Sequence, residues 1–523
     1  MKRVLPFLLS FFSLYLSAQT GPYWATDVAP ILYANCTGCH NPNGIAPFSL
    51  MTYNDAANHA AYIQAAVTGR TMPPWPPDTS YTRFSHERVL TQQEIQTIDD
   101  WVNNGFPSGN LSQAPTPPTY NGGPAITNPD LVVQMQTYTV NTGADLYRCF
   151  VVPSGITQDE FITKVEIVPG NRPVVHHVLV YQDVQNTCVT LDNNDPGPGY
   201  TSFGGVGSNT ASLIAGWVPG QGVYELPANM GIKLFANSYI IMQIHYPGGT
   251  FNQTDSTQVR FTFSSGVVRN VSLSPVINHA LSLTNGPLYI PADSVKTFYA
   301  QENVQFNSTL ISIAPHMHLL GQTITSYAVG PAPNYDTIPL IHIPQWDFHW
   351  QGFYTYRQCI HIPSGSVLYA HATYDNTINN PDNPNFPPQD VWQGESTTEE
   401  MMVIYYAYLP YQPGDENIII DSTILTDVQQ QQFIDIVKTP QLYDPYPVPS
   451  NGEDMTFSYF LPEKGSVLLE ITDMSGRTVA VVQNANNGAG FHNVRFASQA
   501  LSGGNYILKL TAGGKVKTKS FIR

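Results

Sequence analysis

The stretch IAPHMHLLG, Ile313 to Gly321, decides how the chain is read. It ends a β-patterned run and sets two histidines one residue apart. In a β-strand, residues i and i+2 project from one face, so His316 and His318 can present both imidazoles to a single ion. Further histidines lie in strand-patterned segments on either side. RPVVHHVLVY carries His176 and His177, and YIIMQIHYPGG carries His245. Later, STTEEMMVIYYAYLP places Met401 and Met402 at the start of another strand. FITKVEIVP, QVRFTFSS and GSVLYAHATY show the same alternation, so the chain from Leu131 to Thr439 reads as β. Adjacent strand residues face opposite ways, and His176 with His177 therefore needs a twist or bulge before both rings reach one ion. A single strand histidine is usually structural, and a strand methionine is usually core.

Composition limits what surrounds these segments. A chain of 523 residues is too long for one core and divides into several domains. Its net charge of −16, with no long basic run, argues against a nucleic-acid partner. Abundant Pro, Gly and Tyr with few helical patterns fit an extracellular, mainly β protein. At the N-terminus, Lys2 and Arg3 precede an apolar run from Val4 to Leu16 and then Ser17-Ala18-Gln19. This is the pattern of a secretory signal cut after Ala18, and about 13 apolar residues are too few to span a bilayer. No other segment approaches membrane-spanning length. In an oxidising compartment a Cys149 to Cys188 bridge is possible, with Cys359 left over.

A second chemistry stands near the N-terminus. CTGCH, Cys36 to His40, fits C-x-x-C-H, in which two thiols bond covalently to a haem and His40 becomes the proximal iron ligand. Upstream, YWATDVAPILYAN has apolar residues at helical spacing. Downstream, LTQQEIQTIDDWVNNG opens with a capping box, Thr91 to Glu94, and aligns Ile95, Ile98 and Trp101/Val102 before Gly105. Between them GRTMPPWPPD holds Met72 in a Pro-stiffened loop, the setting that a thioether sixth ligand requires; Met51, His59 and His86 are its competitors. These residues resemble the small cytochrome c domains fused to periplasmic redox enzymes. The stretch GNLSQAPTPPTYNGGPAITNPD that follows is too rich in Pro, Gly and Asn to carry an element.

His-His, a lone His, His-x-His and a Met at a strand start, in that order, resemble the copper type II ascorbate-dependent monooxygenases, the family of peptidylglycine α-hydroxylating and dopamine β-monooxygenases. WDFHWQGFYTYR (Trp346–Arg357) and YDNTINNPDNPNFPPQDVWQGESTTEEM (Tyr374–Met401) look like that family's second-domain signatures. The resemblance implies one copper on His176, His177 and His245, and a second on His316, His318 and Met401. Met401 is preferred to Met402 because it directly follows Glu399-Glu400. The resemblance further implies dioxygen chemistry at the Met-containing site, beside a substrate C–H bond, with Tyr405 keeping the aromatic of the peptide-amidating branch. A thioether favours Cu(I), and the all-imidazole site is the better electron relay. Ala314 and Val403 replace the Arg and Asn with which that branch holds its substrate, so no fixed cation awaits a peptide carboxylate and a neutral or apolar small molecule is expected. The remaining His279, His342, His361, His349 and His371 read as structural, the last two as neighbours of the sites.

After Tyr443 the chain shows strand, D-x-x-G-R turn, strand, then G-x-Y-x-L near a basic end, and resembles the type A sorting domain of the type IX secretion system, with Val448 where Asn is usual. The alternative there is an ordinary β-sandwich binding module. The expected organisation is a signal peptide (1–18), an all-α cytochrome c domain (19–108), a linker (109–130), two jelly-roll-like β-sandwiches (131–275 and 276–440) and a small β-sandwich sorting domain (446–523). The expected function is exported copper-dependent hydroxylation of a small-molecule C–H bond with dioxygen. It implies two coppers, one haem c, an external electron donor and the type IX machinery as partners. A surface electron-transfer haem and copper protein without turnover is the rival. A binding protein with decayed metal sites is a third, weakened by the complete set of six candidate ligands.

Overall fold

A computed structural model describes residues 21–120, 123–203, 205–333, 335–421, 439–442, 445, 454–462, 464–488 and 490–523. The expected signal segment lies outside the described residues. The chain divides into two compact units, Met1–Trp75 with Arg88–Gly123, and Pro76–Glu87 with Pro124–Arg523.

The first unit is helical. Trp24–Val28 and Ala29–Asn35 precede the cysteine pair, Tyr53–Asn58 and Ala60–Thr68 follow it, and Gln92–Asn103 closes the unit. The capping box forms as the spacing requires: Thr91 accepts from the Glu94 amide while the Glu94 carboxylate takes the Thr91 N–H at 2.7 Å. The helical stripe then buries Ile95, Ile98 and Trp101 against Trp24, Leu32, Ile63 and Val67. The Pro-rich connection after it carries one 3-10 turn, Leu111–Gln113.

The second unit is β throughout its major elements. One sandwich stacks a sheet containing Glu160–Val168 and Gln258–Phe263 on a five-stranded sheet, in which Tyr239–Tyr246 lies between Leu146–Pro153 and His177–Asp183. The next pairs two four-stranded sheets. In one, Val403–Pro410 lies between Ser272–Asn278 and Ser308–His316; the other contains Val367–Asn376. The strand Ser272–Asn278 crosses the expected boundary at 275/276, because its register with Val403–Pro410 assigns it to the second sandwich. The first sandwich's core runs on into Leu273, Ile311, Cys359, Ala407 and Leu409 of the second, so the two share apolar surface. The C-terminal sandwich has its own core, including Phe457, Leu469, Ile471, Leu508 and Leu510, and its D-x-x-G-R turn is tied by Asp473 accepting from the amides of Ser475 and Arg477.

Residues 76–87 leave the helical unit and lie on the second sandwich. Phe84 pairs with Tyr356 across an isolated bridge, is 1% exposed, and stacks on that ring at 5.2 Å. The Ser85 N–H donates to Thr355 at 2.7 Å, and the Asp78 N–H to His342 at 2.8 Å. The apolar side chains of Tyr81 and Phe84 explain the excursion, since they find a sheet to cover. Phe84→Ala is expected to destabilise the second sandwich by about 3–5 kcal/mol. Calorimetry of the full chain checks this, with the helical unit's own transition as the internal reference.

The possible Cys149 to Cys188 bridge is not formed. Both are free, buried thiols in a pocket with Tyr200, Val206 and Ile241. The Val206 carbonyl accepts from the Tyr200 hydroxyl at 2.6 Å and from the Cys188 thiol at 3.7 Å, which occupies that sulfur as a donor. Burial pushes the Cys188 thiol up to about 11, so it resists forming the thiolate that exchange needs. Cys359 is likewise a free, buried thiol, packed into the shared core. Among the described residues no helix is long and apolar enough to cross a membrane.

Candidate metal centre

His245 sits near the end of Tyr239–Tyr246, directly opposite His177 in the register with His177–Asp183. His176 is off the strand altogether, following the 3-10 turn Arg172–Val174, and its backbone N–H donates to the His245 carbonyl at 2.9 Å. The distortion that adjacent histidines require is thus met by starting the strand at His177. His176 Nδ1 then stands 3.2 Å from His177 Nδ1 and 3.2 Å from His245 Nδ1. A neutral imidazole nitrogen carries either one proton or one lone pair, so His176 Nδ1 cannot make a good hydrogen bond to both. A cation at the centre resolves the conflict, since imidazole nitrogens about 2.0 Å from one tetrahedral ion stand about 3.3 Å apart. His176 Nε2 is buried and without a hydrogen bond. Burial, then the neighbouring histidines, lowers His176 to about 3 and His177 well below its ordinary value, which keeps both rings neutral and able to donate lone pairs. Tyr147 stacks on His245 at 4.3 Å, and Asp145 Oδ1 lies 3.5 Å from His245 Nε2. The three rings fit an ion of the zinc, copper, iron or nickel kind.

His316 ends the strand Ser308–His316, and His318 lies two residues beyond it. Their ring centroids are 5.1 Å apart with planes at 84°. The intervening Met317 is fully buried, and His318 is buried as well. Each ring is oriented through Nδ1: His318 by the Glu399 carbonyl at 3.0 Å, His316 by Gln351 Oε1. Both Nε2 atoms are left for a ligand. Below them the fully buried Glu400 carboxylate accepts from the amides of His318 at 2.9 Å, Leu320 at 2.7 Å and Met401 at 3.2 Å. Burial pushes that carboxyl up to about 8 against the pull of those amides. Burial also lowers His316 to about 3 and His318 to about 4.

The two adjacent methionines part company. Met402 is fully buried, with its amide directed at His279 Nδ1, whereas Met401 lines a cavity of about 510 Å³. Both histidine sets open on that cavity, represented by His176, His177, His316 and His318, together with Tyr405, Ala314, Leu179, Tyr181 and Trp217. Its described lining holds no Lys or Arg, and Glu395 is its one carboxylate. Burial, then Glu399, raises Glu395. His349 faces His176 at 6.2 Å, while His371 packs with Tyr299. Phe348, Gln351 and Glu395 lie in the two signature stretches but were not singled out there, and Asp145 carries no motif; their place in the folded cleft reveals all four.

In the helical unit the C-x-x-C-H segment is likewise arranged. His40 Nδ1 lies 3.0 Å from the Phe48 carbonyl, which leaves Nε2 for a ligand, and Cys36 caps the helix Ala29–Asn35. The rings of His40 and His59 flank Phe48 at 4.7 and 3.9 Å. Met72 is 37% exposed.

The N-terminal domain of the copper type II ascorbate-dependent monooxygenases matches residues 131–250, and the C-terminal domain of that family matches residues 293–422. A secretion system C-terminal sorting domain matches residues 445–523. No curated protein matches the chain in sequence. Among solved structures, a β-glucuronidase of Faecalibacterium prausnitzii is 12% identical over 43% of this chain and 37% of that one, with a TM-score of 0.12. β-Glucuronidase 3 of Bacteroides uniformis is 10% identical over 44% of this chain and 27% of that one, with a TM-score of 0.12. A DUF4785 family protein of Legionella pneumophila is 12% identical over 75% and 91%, again with a TM-score of 0.12. The chain spans well under half the length of the two glucuronidases.

Proposed function

We propose that this exported chain, which carries both copper type II monooxygenase domains and a secretion sorting domain, hydroxylates a C–H bond of a small organic substrate with dioxygen. The observation that carries the reading is one cavity served by two unlike donor sets, three imidazoles on one sandwich and His316, His318 and Met401 on the other. Copper, when bound, supplies one-electron transfer at the first set and dioxygen activation at the second. Overall, one oxygen atom enters the C–H bond and the other leaves as water, with two electrons and two protons consumed. The chain's own part is to hold neutral imidazoles, to wall the cavity with Leu179, Tyr181, Trp217 and Tyr405, and to leave its described lining without a Lys or Arg side chain. Without an Arg or Lys in the lining, a substrate carboxylate has no partner, and neutral or protonated compounds are favoured beside Glu395.

Cys36, Cys39 and His40 would hold a haem c, with Met72 as the candidate sixth ligand. That group would take electrons from an external donor and pass them to the all-imidazole set. A signal peptide followed by the type IX route would bring the protein to the cell surface or beyond it. The orientation of His40 also suits the rival reading, a surface electron carrier without turnover. Oxygen uptake by the copper-loaded, reduced full chain separates the two: uptake rising with a C–H substrate supports the monooxygenase, and none across a broad panel of neutral and amine compounds leaves the electron carrier. Rapid mixing tests the relay, which fails if reduced haem never transfers electrons to copper.

A further inference from the structure

The residues between Thr337–Ile343 and Tyr354–Ile362 belong to the second sandwich but grip both. On their own side, the Trp346 N–H donates to Gln322 at 2.8 Å, and Gln351 makes two bonds at once. Its Oε1 accepts from His316 Nδ1, and its Nε2 donates to the Phe348 carbonyl at 2.9 Å. One side chain therefore fixes the tautomer of a second-set histidine and the position of Phe348. The Phe348 ring reaches across the cleft. It stacks on His176 at 5.2 Å with planes 20° apart and presents an edge to His318 at 6.0 Å and 88°. One aromatic ring thus touches an imidazole of each donor set. Two residues after Gln351, Phe353 seats against Gly216 of the strand Ser212–Trp217 in the first sandwich, where any Cβ would collide with its ring. The notch exists only because residue 216 is glycine.

We propose that this loop is a clasp that sets the separation of the two histidine sets, with Phe348 as the positioning residue and spacer between them and Phe353 as its anchor. The pairs Arg269–Asp415 and Tyr224–Ser312 also join the sandwiches, so loss of the clasp changes the gap locally and does not part the domains. The inference rests on the copper reading for only one of its two tests.

The first test needs no metal. In the full chain without copper, acylation by diethyl pyrocarbonate, read peptide by peptide, should rise several-fold at His176 and His318 in Phe348→Ala. His361, stacked on Tyr411 at 3.8 Å, serves as the unchanged reference. Phe348→Tyr, which keeps the ring, should react as wild type does. Should Phe348→Ala not fold, Phe348→Leu is read in its place. Gly216→Ala, which evicts Phe353 from its notch, should raise the same two rates. In the second test, pulsed EPR of the copper-loaded, oxidised chain should give one narrow separation between cupric ions in wild type and Phe348→Tyr. Phe348→Ala and Gly216→Ala should give a broadened one. Unchanged acylation in a folded Phe348→Ala protein, or an unchanged separation with both coppers bound, overturns the clasp. A chain that binds no copper overturns the function proposed above and leaves the acylation result to decide this one.

Discussion

Copper-loaded, reduced Met401→Ala protein is expected to lose substrate-dependent oxygen uptake by more than the roughly 10–100-fold that loss of an outer partner of a metal ligand costs. The backbone at this position is held from both sides and does not depend on the thioether: the Met401 N–H donates to Glu400 at 3.2 Å and its carbonyl accepts from the Tyr374 hydroxyl at 2.8 Å. Truncation therefore removes a soft ligand from the cavity with little change in the fold. Copper content should fall at the second set alone, because His176, His177 and His245 are held by a different sandwich. Met402→Ala is the matching control. That side chain is fully buried, so its loss should cost about 2–5 kcal/mol of stability while leaving the donor set intact. Uptake equal to wild type in Met401→Ala would remove the assignment of the dioxygen site.

Residues that act through short-range rules were legible in the sequence. The capping box at Thr91, the closeness of His316 and His318, and the turn at Asp473 each follow from spacing within a few residues. The conflict between adjacent His176 and His177 was legible as well. Its resolution, a strand that begins at His177, depends on the 3-10 turn at Arg172–Val174 and on pairing with His245, which lies far along the chain. What could not be read comes from distant strands meeting. Glu400 looked like a landmark before Met401, and only the fold shows it tying the turn after the H-x-H pair. Glu395 and Phe348 belong to loops whose patterns carry no period, and their meaning arises where two sandwiches face each other. Residues 76–87 fall inside the stretch expected as the cytochrome c domain, 19–108, because nothing local marks Phe84 as the partner of Tyr356 in the second unit of the chain.

Arg269→Ala is expected to destabilise the paired sandwiches by about 3 kcal/mol, the low end for breaking a buried ion pair, and the loss should depend on pH with a defined sign. Arg269 lies on the short strand Arg269–Asn270, paired with Met230–Leu234 in the first sandwich, and reaches Asp415 in the turn after Val403–Pro410. The contact is bidentate, at 2.7 and 2.8 Å, and Asp415 also accepts from the Thr309 hydroxyl at 2.6 Å and the Gln412 amide at 3.0 Å. Burial pushes the Asp415 carboxyl up, but the guanidinium, the hydroxyl and the amide outweigh it and hold the pKa at about 2, below the ordinary 3.8. A depressed carboxylate stabilises the fold above its unfolded pKa and loses that contribution as pH falls through its folded one. The pair's contribution is therefore whole at neutral pH and fades between 3.8 and about 2. In Arg269→Ala the buried carboxylate keeps only neutral donors, and its desolvation goes uncompensated. The gap in unfolding free energy between wild type and variant should accordingly be widest at neutral pH and narrow as acid protonates Asp415. Denaturant titrations of both proteins at neutral pH and again under acid decide the matter, and a gap that stays constant would show that the link between the sandwiches does not run through this charge.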